Sequence, residues 1–214
     1  MTIASLVLPF LLLIPAIVLH EVSHGYVSYL LGDPTAKNAG RLSLNPLKHI
    51  DLWGTIIMPI ILLVGSGGRF SFGYAKPVPI NPRYYKDYRR GLFLTGIAGP
   101  TTNVVLAAVS GVLARLFGDG SLLGQAFVFF TYMNLVLVFF NLIPIPPLDG
   151  SRVIPLFLSD SAMQTYHQVE QYGFGILLVL LFVLPMVLGW DPIGVYLDNT
   201  VIPLTQLLAG TTPF

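Results

Sequence analysis

The stretch Val18-Leu19-His20-Glu21-Val22-Ser23-His24 places three ionisable side chains within one and a half helical turns of an otherwise apolar segment. On a helix, His20 and His24 project from one face because they are four residues apart, so both imidazoles can bind one metal ion. Glu21 is turned by roughly 100° and can reach a water on that metal. This is the HExxH arrangement of zinc hydrolases, with glutamate as general base. The alternative is a chance match of two core histidines and a surface glutamate.

Composition indicates the class of protein around this motif. The chain has 214 residues, of which 54% are hydrophobic and 10% are charged, against about 25% charged in soluble proteins. We therefore expect an integral membrane protein that forms a single embedded domain over residues 1–214, with a core at 3–158 and C-terminal helices at 173–210. A net charge of +1 gives no reason to expect a nucleic-acid partner. Since cysteine is absent, any metal must be held by His, Asp or Glu.

Apolar segments separated by glycine and proline predict the membrane helices. Residues 1–5 carry no Lys or Arg, so we expect a retained first helix rather than a signal peptide. The fold class expected is an all-α polytopic bundle of about four to six transmembrane helices, with a small β-hairpin or re-entrant element between the first and second long helices. Residues 53–68 are too short for a simple crossing, and the pattern does not decide whether 192–210 spans the membrane or lies at its surface. The long apolar segments are 3–31, 91–117, 122–143 and 173–190.

Positive charge predicts the orientation. Residues 32–90 and 148–172 hold ten of the eleven Lys and Arg residues, and Arg115 is the exception. By the positive-inside rule these segments face the cytoplasm. His20 then lies ~16 Å from the inner end of its helix, at a rise of about 1.5 Å per residue. Asn103 and Asn141 also fall on the inner parts of their helices, so the polar groups are expected at one depth.

A hydrolytic zinc site needs a third protein ligand and a fourth position open to water. The candidates are His49, His167 and the acidic residues, and of these only Asp149 both follows an embedded helix and lies at the expected depth. The alternative is that Asp149 and Gly150 form a turn, or that Asp149 caps the next helix. The pattern alone favours neither interpretation.

Three separated motifs together resemble the site-2 protease family of intramembrane zinc metalloproteases, in a compact form without a PDZ or CBS domain. The resemblance covers about residues 17–155 and preserves the order of the family's motifs. The motifs are His20-Glu21-x-x-His24, Gly99-Pro100-x-x-Asn103 and Asn141-x-x-Pro144-x-Pro146-x-Leu148-Asp149-Gly150.

This resemblance implies one Zn²⁺ per chain, bound by His20, His24 and Asp149, with Glu21 as general base. It implies that Asn141 binds substrate or steadies the oxyanion; Asn103 either does the same or makes a hydrogen bond between helices. It also implies cleavage of transmembrane protein substrates from the cytoplasmic side of a prokaryotic cytoplasmic membrane, within the lipid bilayer.

Two further expectations concern binding of helices by this chain. A catalytically silent scaffold or pseudoprotease that binds transmembrane helices is the alternative function, although all four chemical positions are present. Residues 41–44 and 70–82 could pair with an unwound substrate by strand addition, or could form a structural cap on the bundle.

Overall fold

The computed structural model describes residues 3–65 and 73–213, and the side chains of residues 3–10 and 56 are not described. Within those ranges all regular secondary structure is helical and there is no β-strand. The eight α-helices of the described chain are α1 (Ile3–Leu30), α2 (Thr35–Asn38), α3 (Met58–Gly65), α4 (Tyr88–Phe117), α5 (Leu122–Asn141), α6 (Asp160–Glu170), α7 (Gly173–Leu178) and α8 (Pro192–Ala209). The π-helices are Leu52–Ile57 and Val179–Leu188, and the 3-10 turns are Pro46–His49, Pro82–Tyr84, Asp149–Arg152 and Ile154–Phe157.

Three helices of the described chain are long and apolar enough to cross a membrane: Leu11–Leu30 of α1, the whole of α4 and the whole of α5. A fourth crossing is available if Asp160–Glu170 and Gly173–Leu188, which meet at a bend of 59°, form one span. The protein is therefore an integral membrane protein. The expected count of four to six spans is met only at its lower limit, and only with that bent pair.

The predicted β-hairpin between the first two long helices is wrong for the residues that the structure describes. Residues 73–81 are extended but bind the rest of the chain through isolated hydrogen bonds instead of a strand ladder. The Lys76 N–H donates to His49 O at 2.9 Å, and the Arg41 guanidinium donates to Lys76 O at 2.6 Å. Pro77 and Pro79 have no N–H to continue a ladder. Residues 66–72, which include the end of the short apolar segment 53–68 and the start of the segment 70–82, lie outside the described residues.

Helix α4 lies at the centre of the bundle and packs against α1, α5 and α8. Small residues on its buried face let these neighbours approach closely, as in many membrane helix pairs. At Gly111, for example, an added Cβ would lie 2.8 Å from Leu208 Cβ. The buried glycines and alanines of α4 are Gly91, Gly96, Ala98, Gly99, Ala107, Gly111 and Ala114.

Helix α8 packs lengthwise along α4 and α5 instead of lying across their ends. Its start, middle and end contribute Ile193, Val201 and Ala209 to three separate buried clusters. At the far end of the bundle the Arg115 guanidinium donates to the carbonyls of Leu207 and Leu208, so it caps α8. This contact accounts for the one positive residue outside the expected cytoplasmic segments.

Candidate metal centre

Three potential ligand atoms, two from α1 and one from a distant part of the chain, converge on one buried point. His20 Nε2 and His24 Nε2 lie 3.0 Å apart, and Asp149 Oδ2 lies 3.1 Å from the first and 3.0 Å from the second. The three residues are 6%, 3% and 7% exposed, so water does not compete freely for them. Within the described chain they form the one group of His and acidic side chains arranged to hold a metal ion.

The outer hydrogen bonds of the two imidazoles determine which nitrogen faces this point. His24 Nδ1 lies 2.6 Å from the Thr95 carbonyl, which can only accept, so Nδ1 carries the proton and donates it. His20 Nδ1 donates to Asn103 Oδ1 at 2.5 Å. In neutral imidazoles both Nε2 atoms then present lone pairs toward the Asp149 carboxylate. A divalent cation satisfies all three at once.

The donor set fits zinc. Two histidines and a carboxylate are a known catalytic zinc set that leaves a fourth position for water. Tetrahedral zinc with ligand bonds of about 2.0–2.2 Å separates its ligand atoms by roughly 3.3–3.6 Å, only slightly more than the distances found here. Helix α4 also leaves room at this point because residue 99 is glycine. A Cβ there would lie 2.5 Å from His20 Nε2 and would contact His24 Nε2 as well.

Asp149 reaches the histidines because a short turn packs directly on α4. The 3-10 turn Asp149–Arg152 follows the proline-rich loop after α5, and an added Cβ at Gly96 would lie 3.1 Å from Asp149 O. The second carboxylate oxygen, Oδ1, lies 3.6 Å from the Arg152 guanidinium. The turn is tied to α6 by Tyr166, whose hydroxyl donates to Ser151 O at 2.7 Å. Asp149 is therefore part of a folded turn and also lies beside the two histidines.

Glu21 is held by the extended segment 73–81. The Val78 N–H donates to Glu21 Oε2 at 3.0 Å, and the buried Val78 side chain lies beside Gly25 of α1. The far end of this segment is anchored by Asp33, which accepts from the Asn81 N–H at 2.7 Å and from the Ser28 hydroxyl at 2.8 Å. The segment thus fixes one carboxylate oxygen of Glu21, the residue next to His20 in the chain.

Comparison with known proteins identifies the family. A family model described as peptidase family M50 matches residues 119–184, the part that contains Asp149. YwhC of Bacillus subtilis (strain 168), assigned as a zinc metalloprotease, is 42% identical over 190 residues, which are 84% of this chain and 82% of that protein. The chain belongs to peptidase family M50, the site-2 protease family.

Other relatives are more distant from this M50 chain. Rip2 of Mycolicibacterium smegmatis, also assigned as a zinc metalloprotease, is 28% identical over 76% of this chain and 62% of its own length. MJ0611 of Methanocaldococcus jannaschii, with the same assignment, is 39% identical over 44% of this chain and 50% of its own length. No solved structure matches the chain at a significant level.

The two asparagines of the M50 motifs occupy different surroundings. Asn103 is fully buried, and besides the His20 contact its Nδ2 donates to Asn134 Oδ1 of α5 at 2.8 Å. The interhelical hydrogen bond that was the alternative role for Asn103 is thus present. Asn141 is half-buried at the end of α5, and its Nδ2 donates to Leu137 O of the same helix. The expected contact of Asn141 with substrate or oxyanion remains a prediction.

Sequence reasoning missed three residues that surround the ligand cluster. Thr95 contributes only its main-chain carbonyl, which no residue pattern reveals. Gly99 belongs to one of the motifs, but only the structure shows why it is glycine: both histidines lie too close for a side chain at this position. Asn134 stands in an apolar helix and had only one signal, the cost of a buried amide in a membrane segment.

Proposed function

We propose that this protein is an intramembrane zinc metalloendopeptidase that hydrolyses peptide bonds within or near transmembrane helices of other membrane proteins. The observation that carries the proposal is the convergence of three buried lone-pair donors next to Glu21. Membership of a metalloprotease family supports the reaction class. His20, His24 and Asp149 would hold one zinc ion.

Each residue has a defined task in this reaction. Zinc, when bound, supplies a Lewis acid that lowers the pKa of a water and polarises the scissile carbonyl. Glu21 takes the proton from the attacking water and later gives it to the leaving amine. The Val78 N–H keeps Glu21 Oε2 in place, so Oε1 is the oxygen that exchanges the proton. Asn141, at the inner end of α5, would bind the substrate backbone or the developing oxyanion.

The site's depth supports a helix as substrate and access from the cytoplasm. His20 lies ten residues before the end of α1 at Leu30, a distance of about 15 Å along the helix axis. The loops at this end of the bundle contain most of the chain's Lys and Arg residues, which favours the cytoplasmic face of a prokaryotic membrane. A substrate helix must unwind there because its own hydrogen bonds shield the scissile bond.

The backbone of residues 73–81 offers few free groups for strand addition by such a substrate. The N–H groups of Tyr74, Lys76 and Val78 all donate inward, to Gly54 O, His49 O and Glu21. In extended backbone the intervening residues face the other way. Two of these, Pro77 and Pro79, have no N–H, so the outward edge offers carbonyl acceptors at those positions but no donors. This segment is therefore better suited to cap the bundle and orient Glu21 than to pair with a substrate strand.

The test is the substitution Glu21→Gln, which keeps the size of the side chain and removes its capacity to accept the proton. We expect purified Glu21→Gln protein to retain one zinc per chain by elemental analysis and to lose cleavage of a co-expressed single-span substrate. Glu170→Gln is the matched control, since Glu170 is the other glutamate of the chain and is exposed on α6. Cleavage by Glu21→Gln at the Glu170→Gln rate would refute the assignment of the base.

A further inference from the structure

The two metal-facing histidines are oriented by outer partners of different kinds. His24 donates to a main-chain carbonyl, which accepts only, so its tautomer follows directly. His20 meets the side-chain amide of Asn103. A primary amide can be turned by 180° to present either an acceptor oxygen or a donor NH₂ group. If Asn103 turned its NH₂ group to His20, the lone pair of Nδ1 would accept, and the proton would move to Nε2, where zinc binds.

The orientation of Asn103 is determined by a further residue, Asn134. Asn103 Nδ2 lies 2.8 Å from Asn134 Oδ1, and Asn134 Nδ2 donates to the Phe130 carbonyl at 2.8 Å. That carbonyl belongs to helix α5 and can only accept, so it fixes Asn134 with its NH₂ toward the helix and its oxygen toward Asn103. Asn103 must then point its own NH₂ at Asn134 and its oxygen at His20.

We propose that Asn134 is a positioning residue for the metal centre, which acts through Asn103 to hold His20 in the tautomer whose Nε2 is free for zinc. The inference rests on the proposed zinc site. The role falls to helix α5 and to a residue outside the sequence motifs. The Phe130 carbonyl orients Asn134, Asn134 orients Asn103, and Asn103 accepts the proton of His20 Nδ1, which leaves Nε2 free.

Because the two amides are buried, this series of hydrogen bonds determines how they are oriented. Asn103 and Asn134 are both 0% exposed, so no bulk water can supply a substitute donor or acceptor. The donors and acceptors of each amide match those of its two partners, so reversing one amide would bring two donors together at one of its contacts and two acceptors together at the other. Outer partners of metal-binding histidines typically change metal affinity by about 10–100-fold when they are removed.

The test compares two substitutions of Asn134. Asn134→Leu keeps the branched shape of the side chain and removes the acceptor for Asn103, whereas Asn134→Asp, neutral in this buried position, keeps one acceptor and one O–H donor. We expect Asn134→Leu to lose zinc to a chelator about 10–100-fold faster than the parent protein, with Asn134→Asp close to the parent. In ¹⁵N-histidine-labelled protein from which zinc has been removed, the His20 signals should show the proton on Nδ1 in the parent and in Asn134→Asp, but a mixture of tautomers in Asn134→Leu.

Thr131→Val is the matched control. Thr131 lies one turn before Asn134 on α5 and also makes a buried polar contact to α4, with the Ser110 hydroxyl at 2.8 Å. Its described hydrogen bonds lead to Ser110 and to the Phe127 carbonyl and not to the histidines, so Thr131→Val should lose a hydrogen bond between the same two helices and keep the parent rate of zinc loss.

Two results would overturn the proposal: zinc loss from Asn134→Leu at the parent rate, or equal acceleration in Thr131→Val. If Asn134→Leu does not fold, Asn134→Ala replaces it with the same expected results. A parent protein that binds no zinc would instead refute the proposed function itself.

Discussion

Replacing Gly99 by alanine tests whether close approach of α4 shapes the metal centre. The added Cβ would lie 2.5 Å from His20 Nε2, whereas a non-bonded contact needs about 3.5 Å. One histidine or α4 must therefore move by about 1 Å. Metal ligands hold their distances to within about 0.2 Å, so a shift of this size removes His20 or His24 from the set. We expect zinc affinity to fall by more than about 100-fold, beyond the usual effect of outer partners.

The assay is zinc content after purification, together with zinc loss to a chelator. Gly111→Ala is the matched control because Gly111 lies on the same helix and its added Cβ would meet Leu208 Cβ at 2.8 Å, away from the histidines. Such overpacking costs about 1–3 kcal/mol, so Gly111→Ala should lower the thermal midpoint and keep its zinc. Gly175→Ala, where nothing lies within 4 Å, should change neither. Parent-like zinc binding by Gly99→Ala would refute the argument from close approach.

Two further substitutions test the ligand set and the anchor of the extended segment. Asp149→Ala should bring bound zinc well below one per chain, because only two histidines remain; unchanged stoichiometry would place the third ligand elsewhere. Asp33→Asn should lower the thermal midpoint, since one oxygen facing the Asn81 N–H and Ser28 hydroxyl is replaced or turned away. Burial acts to raise the pKa of Asp33, but hydrogen bonds from Asn81, Thr35 and Ser28 outweigh it and hold that pKa below its ordinary value. The stabilisation by Asp33 should therefore be complete above about pH 4 and be lost as pH falls through the lowered pKa, with no such loss in Asp33→Asn; equal acid sensitivity of the two proteins would contradict this.

Local patterns predicted the helices well because each depends on a short stretch of chain. The apolar runs at 91–117 and 122–143 correspond closely to α4 and α5, and capping by Asp87 and Ser121 sets where these two helices begin. The prediction of strands was wrong because a strand depends on pairing with a distant part of the chain. A strand at 41–44 needs a partner strand, and the described chain supplies only isolated contacts through Arg41 and Lys76.

In the candidate site, too, local sequence predicted some of the residues and left others undecided. The four-residue spacing of His20 and His24 determined that both face one side, and Glu21 follows from the same helical geometry. The pattern left Asp149 equally balanced between a ligand and a turn. Packing of its turn against Gly96 brings the carboxylate to the histidines, 129 residues from His20 in the chain.

The sequence by itself determined that this is a membrane protein with an HExxH motif on its first helix, because composition and helical periodicity are local properties. Only the tertiary structure decided which atoms complete the centre: the Thr95 carbonyl, the space at Gly99, and the amides of Asn103 and Asn134. The physical reason is that hydrogen-bond direction and close approach depend on three helices meeting at one depth. No single stretch of residues specifies that meeting.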